Sequence, residues 1–306
     1  MPPALLITSL VHSIQVGSLY ALMALGITLT MRVIRLPNFA HAEFVTTGAF
    51  TALVVSLFLS RSPVVILGLA TLSGALVALS SHLLVFRPMS RRKLSTYSML
   101  LVSFAVGLIL RYVLFVLSDY YQLFDKRIQI PLQILVRESY LVLTNITFTI
   151  VPVSIACVIA LALLLGRTAL GREMRALASN PELAHILGMR VERIRSLTWL
   201  LTGATAGLAG ALWGLYTFVN PLLGWLAILP VFAAAILGGL SSFAGTILGA
   251  YLVAFCENTL MQALNHYTGL TFSFKAAIPF VIIILVLLLR PQGLTGFVRR
   301  SGDLER

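Results

Sequence analysis

The feature that most constrains this chain is a series of long apolar segments separated by short polar ones. Lipid offers no hydrogen-bond partner to a peptide group, so a segment that crosses a bilayer must form its backbone hydrogen bonds internally. An α-helix needs roughly 20 residues to cross the hydrocarbon core. Six consecutive segments are near or above that length, at Ser9–Met31, Asn38–Ser60, Val64–Phe86, Tyr97–Ser118, Tyr140–Leu165 and Leu197–Val219.

The composition agrees with a membrane protein. The chain is 59% hydrophobic and 10% charged, whereas a soluble domain carries about 25% charged residues. Alternation of apolar and polar residues over about ten positions, which is typical of a transmembrane barrel strand, is not seen. We therefore predict an all-α polytopic membrane protein of about eight transmembrane helices, with residues 1–306 forming a single transmembrane domain.

The positive charge is distributed beside the apolar segments. The net charge is +12, but the arginines do not form one basic domain, which argues against nucleic-acid binding. Membrane lipids with anionic headgroups and cytoplasmic proteins are the expected partners of this charge. Sixteen of the 22 Lys and Arg residues fall on one side if alternate loops share a side. Because cytoplasmic loops are enriched in Lys and Arg, this bias predicts an extracytoplasmic N-terminus, a cytoplasmic C-terminus with a basic tail from Arg290, and a location in a cell membrane.

The late part of the chain does not fit regular crossings. Leu229–Leu240 is short, Gly245–Met261 is longer, and the last span, Phe274–Leu289, must begin outside. The region between residues 229 and 261 must therefore enter and leave on the same face, either as two short helices or as a re-entrant hairpin. Broken helices of this kind often line a transport path. The turn is predicted at Gly238, Gly239 and Gly245.

The longest polar interval runs from Gly166 to Ser196 and contains six arginines. Within it, Asn180-Pro181-Glu182 is a helix-start pattern, with a capping side chain, a proline in the first turn and an acid near the positive end of the helix dipole. Gly188 is a natural stop. The apolar face of this short helix suits docking to a cytoplasmic partner, although a solvated loop with an incidental helix explains the pattern equally well. That face contains Leu183, Ile186 and Leu187.

Ionisable residues inside apolar segments form a second set of candidates, because such groups tend to be functional. Asn38, His41 and Glu43 open the second span. They form either a polar site on a transport path or simply a capped helix start. Glu257 must face a partner or a cavity, and Arg111 is a candidate partner for it.

The sequence contains no phosphate-binding loop, no clustered Cys and His with metal-ligand spacing, and no Gly-x-Ser-x-Gly elbow. A non-catalytic chain without a cofactor is expected. The two cysteines lie in apolar segments, where packing is the simplest role. Gly203, Gly207, Gly210 and Gly214 share one helix face, which favours close helix packing.

Three stretches resemble one family. Residues 38–44, Asn-Phe-Ala-His-Ala-Glu-Phe, are similar to the asparagine-phenylalanine-alanine-histidine-glycine-glutamate signature of branched-chain amino acid ABC importer permeases. Residues 171–193 are similar to the cytoplasmic coupling loop of those permeases. Residues 237–250, followed by Glu257, are similar to their glycine-rich late segment and its acid. The departure is Ala42, where the family usually has glycine.

This resemblance implies a permease subunit that works with a second related permease, two ABC ATPase subunits and an extracytoplasmic substrate-binding protein. A leucine-, isoleucine- or valine-like solute would cross when the ATPases close and move the coupling helix. Because substrate choice depends largely on the binding protein, the resemblance leaves the solute open. The residues implied in ATPase coupling are Arg172, Met174, Arg175, Asn180, Glu182, Leu183, Leu187 and Gly188.

Three alternatives remain open at this point. The same pattern is shared by permeases for urea and short-chain amides. An ion-coupled secondary transporter could use His41, Glu43 and Glu257, and its uptake would need a proton gradient rather than an ATPase. A membrane scaffold without transport is the third.

Overall fold

The computed structural model describes residues 2–92, 94–130, 134–138, 141–289 and 293–294. Within them the chain is helical except for one short antiparallel hairpin, β1 (Ile134–Glu138) with β2 (Leu141–Thr144). The first group of helices is α1 (Pro3–Val33), α2 (His41–Phe58), α3 (Pro63–Ser81), α4 (Arg87–Arg91), α5 (Thr96–Tyr120), α6 (Asn145–Arg167) and α7 (Ala169–Ser179). The second group is α8 (Pro181–Ile186), α9 (Val191–Tyr216), α10 (Leu223–Gly238), α11 (Phe243–Phe255), α12 (Met261–Thr268) and α13 (Ile278–Leu289).

Two π-helical segments join neighbouring helices without a break. His82–Phe86 connects α3 to α4, and Cys256–Leu260 connects α11 to α12. A 3₁₀ segment, Phe272–Ala277, leads into α13. An extra residue in a helical turn rotates the side chains that follow, and such insertions occur often at functional sites.

Seven of the described helical stretches are long and apolar enough to cross a membrane. The predicted multi-pass helical architecture is therefore confirmed. Two further helices complete it: α10 is apolar but short, and α9 is long but less apolar than the seven. Helix α9 is less apolar because its buried residues include many Gly, Ala and Thr.

Two helical stretches extend beyond the ends that the sequence predicts. The third segment is predicted to end at Phe86, but the helix continues to Arg91. The segment predicted at Gly245–Met261 also extends further, because α12 continues to Thr268 and stops at Gly269, whose φ is +73°. Long polar side chains are good helix formers and can extend to water from a helix end. Residues 295–306 of the predicted basic tail lie outside the described residues, as do Lys93 and Arg290.

Backbone contacts divide the chain into two compact units. The first takes the described residues within Met1–Thr28, Pro131–Ala156 and Leu229–Arg306, and the second takes Leu29–Ile130 and Cys157–Ile228. Helices α1, α6 and α10 each contribute residues to both units.

The second unit is built around close packing of α2, α3 and α9. Glycines let the backbones approach, as predicted for the glycine face of α9. A Cβ atom at Gly207 would meet the carbonyl oxygen of Ala70, and one at Gly210 would meet that of Val45. A Cβ atom at Gly74 would lie 2.7 Å from the Cα atom of Gly207. In lipid, where no hydrophobic force drives helices together, this close van der Waals contact is a main source of association.

In the first unit, hydroxyl pairs join α1 to the α11–α12 stretch. Ser13 and Thr259 are 2.8 Å apart, Ser18 and Tyr251 are 2.9 Å apart, and Thr28 and Thr246 are 2.8 Å apart, measured between side-chain oxygens. Each pair satisfies a buried polar group that would otherwise be costly in an apolar environment.

Candidate functional site

A buried ion pair lies in the second unit at the start of α2. The Nε and Nη2 atoms of Arg111, on α5, donate to Oε1 of Glu43 at 2.8 and 2.6 Å. Both residues are buried, and the indole of Trp225 lies 4.1 Å from the guanidinium carbon. Glu43 occupies the first turn of α2, where the helix dipole favours a negative charge. The site therefore combines ion pairing, a helix terminus and a cation–π contact.

The turn before α2 is held by polar side chains. Oδ1 of Asn38 accepts from the Ala40 amide at 3.1 Å, and Oγ of Ser103 accepts from the Phe39 amide at 3.2 Å. The helix begins at His41, two residues later than an N-cap at Asn38 implies. Asn38 thus stabilises the turn that leads into the helix, and His41 lies fully buried in the first turn. The predicted polar cluster is present, and its role in transport stays a prediction.

The start of α10 approaches α2 closely. The Gly224 amide donates to Oγ1 of Thr46 at 3.2 Å, and a Cβ atom at Gly224 would collide with the carbonyl oxygen of Ala42. Ala42 is fully buried. The methyl group that replaces the usual glycine is therefore packed inside the protein, one residue before Glu43 of the ion pair.

Glu257 has a different partner from the predicted one. It lies in the second π segment, and its Oε2 accepts from the Tyr20 hydroxyl at 2.6 Å. Arg111 pairs with Glu43 instead, so the predicted Glu257–Arg111 pair is wrong. The error has a physical reason, because sequence shows that a buried charge needs a partner but not which helix supplies it.

The α10–α11 turn falls at the predicted glycines. Gly239 has φ of +95° and Leu240 has φ of +42°, so the chain reverses through left-handed backbone. A Cβ atom at Gly238 would meet the backbone of Gly245. The Oγ of Ser242 accepts from the Gly245 amide at 3.2 Å and caps α11. The helical hairpin is confirmed, whereas its place on a transport path remains a prediction.

The loop between α6 and α9 forms two short helices. Oδ1 of Asn180 accepts from the amides of Glu182 and Leu183, both at 3.0 Å, so the predicted cap of α8 is confirmed. The predicted stop is confirmed too, because Gly188 has φ of +74° after the last turn. The exposed fractions of the apolar face are large, at 50% for Leu183, 79% for Ile186 and 71% for Leu187.

Helix α7, which precedes α8, packs against the end of α6 within the second unit. Met174 is buried, and a Cβ atom at Gly171 would meet the Leu165 carbonyl oxygen. The guanidinium of Arg175 donates to the same Leu165 carbonyl. Arg172 is exposed and donates to the Arg167 carbonyl at 3.4 Å. Within the predicted coupling set, Met174 and Arg175 therefore anchor the loop, whereas the exposed leucines form its outer surface.

Sequence reasoning missed Tyr20, Thr46, Ser103 and Trp225. A hydroxyl or an indole in an apolar helix is common, so these residues give no local signal. Only their distance to Glu43, Glu257 or the α2 turn makes them informative. Among the described residues, no group of three or more His, Cys, Asp or Glu side chains could hold a metal ion.

Comparison with known proteins decides the family. Residues 9–287 match the model of the branched-chain amino acid transport system / permease component family. The chain belongs to this permease family. It is therefore a multi-pass membrane protein and a permease component of a transport system.

Two curated relatives match along most of their length. The probable branched-chain amino acid transport permease protein LivH of Methanocaldococcus jannaschii is 32% identical, over 92% of this chain and 89% of its own. The high-affinity branched-chain amino acid transport system permease protein LivH of Escherichia coli is 28% identical, over 93% and 94%. Among solved structures, PsaBC from Streptococcus pneumoniae in complex with Fab aligns over 99% of this chain and 95% of that chain. Its TM-score is 0.49 and its identity 16%.

Proposed function

We propose that this chain is the membrane-spanning subunit of an ABC importer and that it carries a branched-chain amino acid into the cell. The names of the two relatives support the solute class. The family match, which spans residues 9–287, supports the role as a permease component. A protein that binds the solute outside the membrane would deliver it to the extracytoplasmic side.

The energy for transport would come from partner subunits. The sequence contains no phosphate-binding loop, so two ATPase subunits would hydrolyse ATP. A second permease of the same family would complete the path. The polar groups that this chain offers to the path are Asn38, His41, the Glu43–Arg111 pair and Glu257, all buried within helices or helix starts.

The exposed apolar face of α8 is the observation that carries the proposal. The helix is ordered, since it is capped at Asn180 and preceded by the packed helix α7, yet its leucines are exposed. An exposed apolar patch on an ordered element marks a site of protein contact, and helix-in-groove docking uses such side chains as anchors. The flanking arginines favour the cytoplasmic side, which is where an ATPase would be.

Replacing Leu183 and Leu187 with serine tests the docking role. The complex with ATPases and binding protein is reconstituted into vesicles, and leucine uptake and ATP hydrolysis are measured together. Because buried apolar anchors dominate docking energy, we expect uptake per ATP hydrolysed to fall about tenfold or more. The spans should remain folded, since both side chains are already exposed.

Leu288→Ala is the matched control. Leu288 is 76% exposed, similar to Leu187, but lies on α13. It should leave coupling unchanged. Equal uptake per ATP in the α8 variants and in Leu288→Ala would contradict the docking role. Uptake of urea or a short-chain amide in preference to leucine, with the cognate binding protein, would contradict the proposed solute.

A further inference from the structure

A polar cleft in the second unit lies apart from the ion pair and the docking face. Its cavity volume is about 120 Å³, and it is partly open to the surface. Its walls come from the α1–α2 link, the first π segment with α4, the start of α5 and the start of α9. Its charged and polar lining includes Arg35, His82, Arg87, Glu192 and Arg195.

The cleft carries more positive than negative charge. Three arginines face one acid, Glu192, whose carboxylate is shared by two of them. Nε of Arg87 is 3.0 Å from Oε2, and Nη1 of Arg195 is 3.2 Å from Oε1. Nε of Arg195 is buried and has no hydrogen-bond partner among the described residues. The lining therefore has a net positive charge, which would attract an anion.

His82 provides a separate indication of a ligand. It is only 3% exposed and stacks on the indole of Trp199, with the ring centroids 5.6 Å apart. Neither ring nitrogen has a hydrogen-bond partner within the described part of the chain. A neutral imidazole always has one N–H to donate and one nitrogen to accept, and a buried polar group without a partner is costly. A ligand oxygen in the cleft would accept from the N–H and remove the donor's part of that cost.

The other side of the cleft is apolar. Phe86, Leu94, Met99 and Trp199 contribute to the lining. Beside it, the surface of the spans exposes Leu84, Tyr97 and Leu101, at 76%, 83% and 66%. In a membrane protein such side chains face lipid. A small soluble anion would use only the arginines, whereas an amphiphile would use both halves.

We propose that this cleft binds the phosphodiester headgroup of an anionic phospholipid, with its acyl chains lying along α5. The arginines and His82 would hold the phosphate oxygens, and the apolar lining would hold the glycerol and the first methylenes. Basic pockets between transmembrane helices are suited to such headgroups. Nη2 of Arg35 also donates to the Ala178 carbonyl at 3.0 Å, at the end of α7. The lipid would thus contact Arg35, which is hydrogen-bonded to the end of α7, the helix that precedes α8.

Lipid retention by the purified full chain tests the proposal without ATPases or solute. The chain is titrated with phosphatidylglycerol in neutral detergent, and bound lipid is counted by native mass spectrometry. Phosphatidylcholine with the same acyl chains is the zwitterionic comparison. About one phosphatidylglycerol per chain should be retained, with phosphatidylcholine bound at least about fivefold more weakly.

Arg35→Gln and Arg195→Gln should each weaken phosphatidylglycerol binding about fivefold, because each removes one positive charge from the cleft. Ser90→Phe should weaken it as well while keeping every charge, since Ser90 lines the same space. Arg91→Gln is the matched control, because Arg91 is exposed on α4 and is not part of the lining. It should retain the lipid.

Three results would overturn the proposal. One is equal retention by Arg91→Gln and by the three cleft variants, Arg35→Gln, Arg195→Gln and Ser90→Phe. Another is displacement of the lipid by millimolar inorganic phosphate, which would make the cleft a site for a free anion. The last is displacement by leucine, which would assign the cleft to the solute. None of these depends on whether α8 docks to an ATPase.

Discussion

At the scale of single residues, each of the two buried acids accepts a hydrogen bond from another helix, and one of the two donors is a cation. Glu43 and Arg111 neutralise each other, and Tyr20 donates to Glu257. Removing one member of a buried pair leaves the other charge uncompensated, which costs about 3–5 kcal/mol. Replacing both members with neutral residues of similar size is far less costly. The energetic value of the pair is therefore visible only when single and double variants are compared.

We predict that Arg111→Met lowers the free energy of unfolding by about 3–5 kcal/mol, because the Glu43 carboxylate is then buried without its cation. The double variant Glu43→Gln with Arg111→Met should recover most of that loss. Thermal unfolding in detergent measures both. If the double variant is as unstable as the sum of the singles, the two side chains do not act as a pair.

At the scale of elements, close contact between helices depends on glycines, which have no side chain to keep the backbones apart. Gly74 on α3 lies against the backbone of α9, whereas a Cβ atom at Gly68, on the same helix, would meet nothing within 4 Å. Two glycines less than two turns apart thus have opposite roles. The first allows close approach, and the second only weakens the helix.

Gly74→Ala should therefore separate α3 from α9 and destabilise the second unit by about 1–3 kcal/mol, the usual cost of overpacking. Gly68→Ala should be neutral or stabilising by up to about 1 kcal/mol, because alanine is the better helix former. Thermal unfolding of the two variants in one detergent gives the comparison. Similar destabilisation by both substitutions would show that close packing at Gly74 is not what stabilises this contact.

The sequence predicted elements better than contacts. Apolar length was enough to predict the spans but not every start, because the fifth was predicted from Tyr140 and its helix begins at Asn145, after the apolar strand β2. Asn180-Pro181-Glu182 with Gly188 was enough to predict α8, because caps and stops depend on neighbouring residues. The π segments at His82–Phe86 and Cys256–Leu260 were not predicted, since an extra residue in one turn leaves hydrophobicity unchanged. The partner of Arg111 was mispredicted because pairing between distant helices depends on packing.

At the scale of the whole molecule, the charge distribution makes a prediction about orientation. The distribution of Lys and Arg predicts that α8 lies on the cytoplasmic side and the loop after α5 on the other. In His185→Cys, a membrane-impermeant thiol reagent should label the cysteine only when it has access to the cytoplasmic face. His185 is exposed on α8, so access to the reagent is not limited by burial.

Asp125→Cys is the opposite-side control and should be labelled only from outside, because Asp125 is exposed in the loop after α5. The unsubstituted chain gives the background from Cys157 and Cys256, which lie within membrane helices. Labelling of His185→Cys from outside intact cells would reverse the orientation and remove α8 from reach of a cytoplasmic ATPase.

The three hydroxyl pairs between α1 and the α11–α12 stretch have a mechanical consequence. The Ser13 and Ser18 hydroxyls donate their only hydrogen to carbonyl groups of α1 itself, so they accept from Thr259 and Tyr251 on the facing stretch. Sliding α1 along the α11–α12 stretch would break these bonds and leave buried hydroxyls without a partner. We therefore expect α1 and the α11–α12 stretch to move together as one layer.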